Sequence, residues 1–148
     1  MEAVLFSGIQ AAGKSSFFTA RFADSHVRLN LDMLRTRHRE RLLLAACLAA
    51  RQAFVVDNTN LTAADRRRYI EAARAAGFRI VGYRFRIELA HAIARNAGRA
   101  RPVPEVALRA ARSRWQVPAY AEGFDALYDV RAEDGRFVVV PVAPDAVL

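Results

Sequence analysis

Short apolar runs alternate along the chain with longer stretches in which apolar residues recur at helical spacing. The apolar runs predict strands, and the periodic stretches predict amphipathic helices. The predicted strands lie at residues 3–7, 27–31, 53–57, 78–85 and 136–140. The predicted helices lie at residues 14–22, 33–50, 61–77, 87–99 and 104–115. Strands and helices that alternate in this order favour an α/β fold, with a parallel sheet flanked by helices on both faces.

Local signals support this order of elements. The run AFVVD at 53–57 is almost entirely apolar, as expected for a strand that is buried on both faces of a parallel sheet. Thr62 and Asp65 have the spacing of a capping box, and Gly77 marks the end of the same helix. The chain has 148 residues and no repeat or long polar linker. We therefore expect one domain that spans residues 1–148.

The composition predicts no membrane segment and no disulfide. The longest apolar run, at 42–50, is shorter than the ~20 residues that a helix needs to cross a bilayer. Met1 and Glu2 lead directly into the first strand, without the pattern of a signal peptide. Cys47 is the only cysteine and cannot form an internal disulfide. We therefore expect a cytoplasmic protein.

The chain is strongly basic, with a formal net charge of +8, which favours an anionic partner. Lysine and arginine together number 23, yet Lys14 is the only lysine. Because an arginine bias can arise from codon usage, the net charge by itself does not indicate nucleic acid. The bias does single out Lys14, since a slim ammonium fits between phosphate oxygens where a guanidinium fork does not.

Residues 8–15, GIQAAGKS, match the phosphate-binding pattern GxxxxGK[ST] between a predicted strand and a predicted helix. In such a P-loop, backbone N–H groups and the helix N-terminus surround the phosphates of a nucleoside triphosphate. We expect ATP to bind here, with Lys14 on the β- and γ-phosphates and the Ser15 hydroxyl on Mg²⁺. The predicted ATP-binding residues of the loop are Gly8, Ile9, Gln10, Ala11, Ala12, Gly13, Lys14, Ser15 and Ser16.

Two carboxylates lie at the carboxyl ends of predicted strands, where ligands of open parallel sheets bind: Asp32 follows the strand at 27–31, and Asp57 ends the strand at 53–57. Asp32 is either the N-cap of the next helix or a group that orients or deprotonates an acceptor hydroxyl. Arg35 lies about one helical turn further on, and this pair suits an acceptor that carries both a hydroxyl and an anionic group. Asp57 resembles the acid that helps to hold Mg²⁺ or its water in P-loop enzymes. Asn58 and Asn60 form a polar turn after it and are expected to support the site.

A short helical lid is predicted at about 95–115. Arg95 and Arg99 lie on one face of the helix at 87–99, just before the break RPVP. Such a pair could close over the β- and γ-phosphates in the manner of arginine fingers. It could also form a solvated helix face, and in a chain with 22 arginines the residues alone slightly favour this second interpretation.

Other arginines of the chain are further candidates for contact with nucleic acid. The three consecutive arginines at 66–68 are expected on a solvated helix face with salt bridges. Arg37, Arg39 and Arg41, which follow Asp32, are better candidates for contact with the backbone of an acceptor.

These motifs, in this order, resemble the P-loop kinase domain of the 5′-hydroxyl polynucleotide kinases. That family includes the kinase half of animal polynucleotide kinase/phosphatase and the phage enzyme. The resemblance covers nearly the whole chain, from AVLFSGIQAAGKSSF to AEGFDALYDV, and its most specific stretch is FVVDNTNLTAADRRRYIEAARAAGF. It implies an adenylate-kinase-like P-loop fold that transfers the γ-phosphate of ATP, with Mg²⁺, to the 5′-hydroxyl end of DNA or RNA.

The resemblance also implies roles for single residues. Asp32 matches the general base of the family, and Arg35 matches the arginine that binds the acceptor phosphate in the phage enzyme. Arg95 and Arg99 match the lid arginines that act with Lys14 on the donor. Two alternatives remain at this point: a P-loop kinase of a nucleoside, sugar or antibiotic, and an ATP-binding regulator that transfers nothing.

Overall fold

The computed structural model describes residues 1–144 of the chain, and within them six strands form one sheet. The strands are β1 (Glu2–Ser7), β2 (Val27–Leu29), β3 (Phe54–Val56), β4 (Arg79–Phe85), β5 (Ala126–Glu133) and β6 (Arg136–Pro141). The helices are α1 (Lys14–Arg21), α2 (Leu31–Leu34), α3 (Arg37–Ala50), α4 (Ala63–Ala75), α5 (Leu89–Ala97) and α6 (Glu105–Arg114).

The strand order is β2-β3-β1-β4-β5-β6. The first five strands are parallel, which confirms the predicted α/β class, and β6 pairs antiparallel with β5. Because β1, β2 and β3 are neighbours, the segments that follow their carboxyl ends meet at one edge of the sheet. The phosphate loop and the two predicted acids are in those segments.

Side chains of β1 alternate between two apolar layers, as the period of a strand requires. Leu5 packs with Tyr69 and Ile80 beneath α3 and α4, whereas Phe6 packs with Phe17 beneath α1. All five side chains are fully buried. The helices therefore cover both faces of the sheet, as predicted, and the phosphate loop rests on a closely packed strand.

The structure corrects the prediction of one helix over 33–50. The backbone of Arg35 has φ 76°, a left-handed conformation that no α-helix continues through. The chain therefore forms the short helix α2, and a new helix α3 begins after Thr36. The Thr36 side chain caps α3 by accepting a hydrogen bond from the backbone N–H of Arg39 at 3.1 Å.

A fifth parallel strand, β5, was not predicted, and the predicted final strand is antiparallel. The turn between β5 and β6 contains Asp134 and Gly135, which have φ values of 48° and 73°. Two successive positive φ angles are typical of the type I′ hairpin turn, for which Asp-Gly is a preferred sequence. The hairpin places Phe137 against Phe17 of α1, with ring centroids 5.1 Å apart.

The prediction that the arginines at 66–68 share a solvated face is wrong for Arg66, whose side chain is fully buried. Its guanidinium forms a bidentate ion pair with Glu122 at 2.7 and 2.9 Å and donates to the carbonyl oxygen of Asn60 at 2.7 Å. Arg67 and Arg68 are exposed, as predicted. Burial of Arg66 is possible because these acceptors satisfy its charge and its N–H groups.

None of the helices within residues 1–144 is long and apolar enough to cross a membrane.

Candidate functional site

The phosphate loop connects β1 to α1 and lies directly against the end of β4. A Cβ atom on Gly8 would lie 2.9 Å from Cβ of Phe85 and 3.0 Å from its carbonyl oxygen, so only glycine permits this approach. Gly13, at the N-cap of α1, has φ 100°. The two glycines therefore shape the loop in the way that the GxxxxGK[ST] pattern predicts.

Lys14, the first residue of α1, folds back over the loop. Its Nζ donates to the carbonyl oxygens of Gly8 at 2.9 Å and Ile9 at 2.7 Å. Burial lowers the pKa of Lys14 to about 8; nearby Arg99 adds to the decrease, and the carboxylates of Asp57 and Asp32 oppose it. The ammonium group is therefore charged at neutral pH and lies at the centre of the predicted site.

A cleft of about 540 Å³ opens over the loop, and this volume is typical of a small-molecule site. It joins the loop to both predicted acids and to both predicted lid arginines. The residues that line it are Gln10, Ala11, Gly13, Lys14, Ser15, Ser16, Asn30, Leu31, Asp32, Asp57, Asn58, Thr59, Arg95, Arg99, Val103 and Phe137.

Asp32 lies in the first turn of α2 and its side chain is exposed at the cleft. It is not the N-cap of that helix, because Asn30 has this role and accepts from the backbone N–H of Met33 at 2.9 Å. The amide of Asn30 also donates to the carbonyl oxygen of Asp57 at 2.6 Å. Asn30 therefore holds the turn that contains Asp32 close to the end of β3.

Asn58 holds the same turn from a second direction. Its Oδ1 accepts from the backbone N–H of Leu31 at 2.9 Å, and its Nδ2 donates to Oε2 of Glu40 at 3.0 Å. Glu40 is buried and also accepts from the hydroxyl of Tyr69 at 2.7 Å. Burial, with the hydrogen bond to Glu40, raises the pKa of Tyr69 to about 12, so its hydroxyl remains a donor. Sequence reasoning identified Asn58 but not Glu40 or Tyr69.

Asn60 joins the segment after β3 to the start of the phosphate loop. Its side-chain amide donates to the carbonyl oxygen of Phe6 at 2.8 Å, and the Ser7 hydroxyl donates to its carbonyl oxygen at 2.9 Å. The backbone N–H of Gly8 donates to the carbonyl oxygen of Thr59 at 2.9 Å. We call these three hydrogen bonds the Asn60 junction.

Asp57 is buried one residue beyond β3 and interacts with the second residue of α1. The Ser15 hydroxyl donates to Oδ2 of Asp57 at 3.3 Å. Arg28 of β2, which sequence reasoning did not identify, donates to the same Oδ2 at 2.9 Å through Nε and to the Ser15 hydroxyl at 2.9 Å through Nη2. Asp57 is thus paired with Arg28.

The donor set at Asp57 and Ser15 fits Mg²⁺. Both groups offer oxygen, the ligand type that this ion prefers, and the Arg28 guanidinium shows that the pair already holds a cation. Within residues 1–144 no group of three or more His, Cys, Asp or Glu side chains could form a metal site. A site with few protein ligands is expected for Mg²⁺, which is often held mainly by substrate phosphates and water.

The remaining basic residues near Asp32 do not line the cleft. Arg35 is exposed beyond α2. Arg37 donates to Glu40 at 3.1 Å and to Tyr69 at 2.9 Å, and Arg39 donates to the carbonyl oxygen of Leu34 at 3.2 Å. Arg37 and Arg39 therefore make contacts within the chain.

Arg95 and Arg99 reach the cleft from α5 and from the segment that follows it. Nη1 of Arg95 donates to the carbonyl oxygen of Ala11 at 3.4 Å. The buried side chain of Asn96 donates to the carbonyl oxygen of Val103 at 2.6 Å and accepts from its N–H at 2.9 Å. This pair of hydrogen bonds closes the segment that carries Arg99.

A second cavity, of about 810 Å³, adjoins the cleft. Ala12 and Arg95 line it on the side of the phosphate loop, and Arg86 and Trp115 also line it. The Arg86 guanidinium lies 5.5 Å from the centre of the Trp115 ring. Because Arg95 lines both spaces, a ligand that binds on the loop could extend into this cavity.

Known proteins resemble this chain in sequence and in fold. The bifunctional polynucleotide phosphatase/kinase of Schizosaccharomyces pombe is 26% identical over 137 residues, covering 87% of this chain and 33% of that protein. The chain therefore spans about a third of the length of this curated relative.

Two solved structures share the fold. A gluconokinase from Sinorhizobium meliloti 1021 has a TM-score of 0.60 at 19% identity, covering 86% of this chain and 82% of the other. Kti12 from Chaetomium thermophilum, in complex with ADP-AlF3, has a TM-score of 0.64 at 15% identity, covering 89% and 90%. At these identities the likeness shows the fold alone.

A family described as AAA domain matches residues 4–118, which include the phosphate loop, both acids of the cleft and both of its arginines. The match covers well over half of the chain, and the mostly parallel sheet agrees with it. The chain belongs to this AAA domain family, and it folds as a kinase-like P-loop domain.

Proposed function

We propose that this chain is an ATP-dependent phosphotransferase and that its acceptor is the 5′-hydroxyl end of DNA or RNA. One observation carries the reaction type: Lys14, the exposed carboxylate of Asp32, and the arginines Arg95 and Arg99 all line one cleft. The acceptor rests on the sequence resemblance and on the similarity to a polynucleotide phosphatase/kinase.

In the proposed reaction the acceptor oxygen bonds to the γ-phosphorus while the bond from that phosphorus to the β-phosphate oxygen breaks, releasing ADP. Asp32 accepts the proton of the acceptor hydroxyl. Lys14, Arg95 and Arg99 stabilise the negative charge that spreads over the transferring group. Mg²⁺ would supply further positive charge on the phosphates, held by Ser15 and, through water, by Asp57.

We further propose that residues 95–115 act as a lid and that the nucleoside of ATP occupies the cavity beside Trp115. The contact between Arg95 and the carbonyl oxygen of Ala11 supports this arrangement, because it draws the end of α5 onto the loop. A lid that brings two arginines to the phosphates excludes water and strengthens each charge interaction.

A small-molecule acceptor is the second candidate, and the position of Arg35 favours it. The arginine expected to bind the acceptor phosphate does not line the cleft in which Asp32 lies. An acceptor without a neighbouring phosphate has no need of that contact.

Phosphoryl transfer distinguishes the two acceptor classes directly. We expect the protein, with Mg²⁺ and γ-labelled ATP, to label 5′-hydroxyl oligonucleotides of DNA or RNA. The matched control is the same oligonucleotide with a 5′-phosphate, which has no free 5′-hydroxyl. Label on nucleosides or gluconate alone would establish the second candidate, and ATP binding without transfer to any acceptor would indicate a regulator.

The lowered pKa of Lys14 predicts that nucleotide binding weakens in mild alkali. The charged form attracts phosphate and predominates below a pKa of about 8, so the charge is lost as the pH rises through that value. Because the bound phosphates favour the charged form, we expect the dissociation constant of ADP, measured calorimetrically, to increase about tenfold between pH 7 and pH 9.

Lys14→Arg is the matched control for this titration, because a guanidinium keeps its charge throughout this pH range. Whatever its absolute affinity, this variant should show a much flatter pH dependence. An equal dependence in both proteins would contradict the assignment to Lys14.

A further inference from the structure

The contacts of Arg28 place a permanent positive charge on the two oxygens that fit Mg²⁺. Its Nη2 lies 2.8 Å from Oδ2 of Asp57 and 2.9 Å from the hydroxyl oxygen of Ser15. Its Nε lies 2.9 Å from the same carboxylate oxygen. One guanidinium therefore bridges the end of β3 and the first turn of α1.

Burial makes this bridge more than a surface ion pair. The Asp57 side chain is 1% exposed and that of Arg28 is 27% exposed. The guanidinium carbon of Arg28 also lies 5.8 Å from the ring centre of Phe18, on the next turn of α1. Strand β2 and the Phe18 ring thus hold the charge in place, and the interaction of a partly buried ion pair is screened less by salt than that of an exposed one.

We infer that Arg28 competes with Mg²⁺ for the oxygens of Ser15 and Asp57 and thereby sets how strongly nucleotide binding depends on the metal. This inference rests on the magnesium site of the proposed function and is independent of the acceptor.

Competition follows from the chemistry of the two cations. Mg²⁺ binds oxygen at ~2.0–2.1 Å, so ligation by Ser15 would engage the hydroxyl oxygen that accepts from Arg28. A guanidinium does not lose its proton in proteins, so Arg28 cannot relieve the repulsion by becoming neutral. It must therefore withdraw from Ser15 when the metal binds there.

The charge of Arg28 should also strengthen the binding of a nucleotide that carries no Mg²⁺. Arg28 touches Ser15 at the N-terminus of α1, where the phosphates of a nucleotide would lie. It therefore supplies part of the positive charge that Mg²⁺ otherwise brings. In the unmodified protein the metal should add little to nucleotide affinity, and without Arg28 it should add more.

The quantity to measure is the ratio of the dissociation constant of ADP in EDTA to that in saturating Mg²⁺. Calorimetry gives both values without requiring phosphoryl transfer. We expect Arg28→Gln to raise this ratio about fivefold, through weaker binding in EDTA and tighter binding with Mg²⁺.

Arg21→Gln is the matched control. Arg21 lies at the end of α1 with its guanidinium carbon 5.5 Å from the ring centre of Phe17, so the variant loses the same charge and a similar aromatic contact away from the cleft. Its ratio should equal that of the unmodified protein. If Arg28→Gln does not fold, Arg28→Met decides, because its side chain keeps an apolar contact with Phe18 but carries no charge, and it should raise the ratio in the same direction.

An unchanged or smaller ratio in the folded Arg28 variants would overturn the inference. So would an equal increase in Arg21→Gln, because it would trace the effect to net charge alone. A raised ratio in a protein that phosphorylates no acceptor would leave the inference standing and defeat the proposed function. Failure of the unmodified protein to bind ADP would defeat both.

Discussion

Replacement of Asp32 by alanine is expected to lower the kcat of phosphoryl transfer about 10²–10⁴-fold, the usual contribution of a general base. The carboxylate is exposed at the cleft, and Asn30 and Asn58 hold the turn that carries it through hydrogen bonds to Met33 and Leu31. These hydrogen bonds do not involve the Asp32 side chain, so the substitution should remove a proton acceptor without moving the backbone.

The loss should be confined to the chemical step. We expect the dissociation constant of ADP to change little, because the phosphate loop and the Asp57–Ser15 pair remain intact. Asp24→Ala, which removes an exposed carboxylate that does not line the cleft, is the matched control and should retain full kcat. If Asp32→Ala transfers phosphate at the original rate, Asp32 has no part in the mechanism.

Replacement of Arg66 by alanine is expected to lower the free energy of unfolding by about 3–5 kcal/mol, as measured by urea denaturation. The fully buried guanidinium holds Glu122 through two hydrogen bonds and also contacts Asn60 and Ser7, at 2.7 and 3.3 Å. Its removal leaves the Glu122 carboxylate without its charge partner and opens a cavity beside the phosphate loop.

Two further variants show whether the lost ion pair is the cause. Arg67→Ala removes the exposed neighbour of Arg66 on α4 and should change the free energy of unfolding by no more than about 0.5 kcal/mol. The double variant Arg66→Met with Glu122→Leu should be more stable than Arg66→Met alone, because no unpaired charge remains. A change in Arg66→Ala as small as that in Arg67→Ala would show that the pair contributes nothing.

The sheet was predictable where hydrophobic patterns are local, and less so where a strand depends on its neighbours. β1, β3 and β4 are rich in apolar residues, and each was predicted near its observed position. β5 contains Asp129, Arg131 and Glu133, and these charged residues interrupt the apolar run by which a buried strand is predicted. The signal that could have revealed it is Asp134-Gly135, a preferred hairpin sequence.

The site was predictable as a set of motifs, whereas its network of contacts was not. The loop motif, Asp32, Asp57, Arg95 and Arg99 can be recognised in the sequence, and residues 10, 11 and 13–16 of the loop line one cleft with these four side chains. The pairing of Arg28 with Asp57 joins residues from different strands. In a chain with so many arginines, nothing local distinguishes Arg28 or Arg66 from their exposed counterparts, because only the tertiary structure selects their partners.

The Asn60 junction has an entropic consequence for the proposed transfer. It ties the start of the phosphate loop to residues 57–60, which also anchor the turn of Asp32. The phosphate loop and Asp32 are therefore held in a fixed position relative to each other. The loss of freedom needed to align the phosphate loop with the Asp32 carboxylate is then incurred once, when the chain folds, and not at each turnover. Binding energy from the two substrates remains available to order the lid and to restrain the substrates themselves.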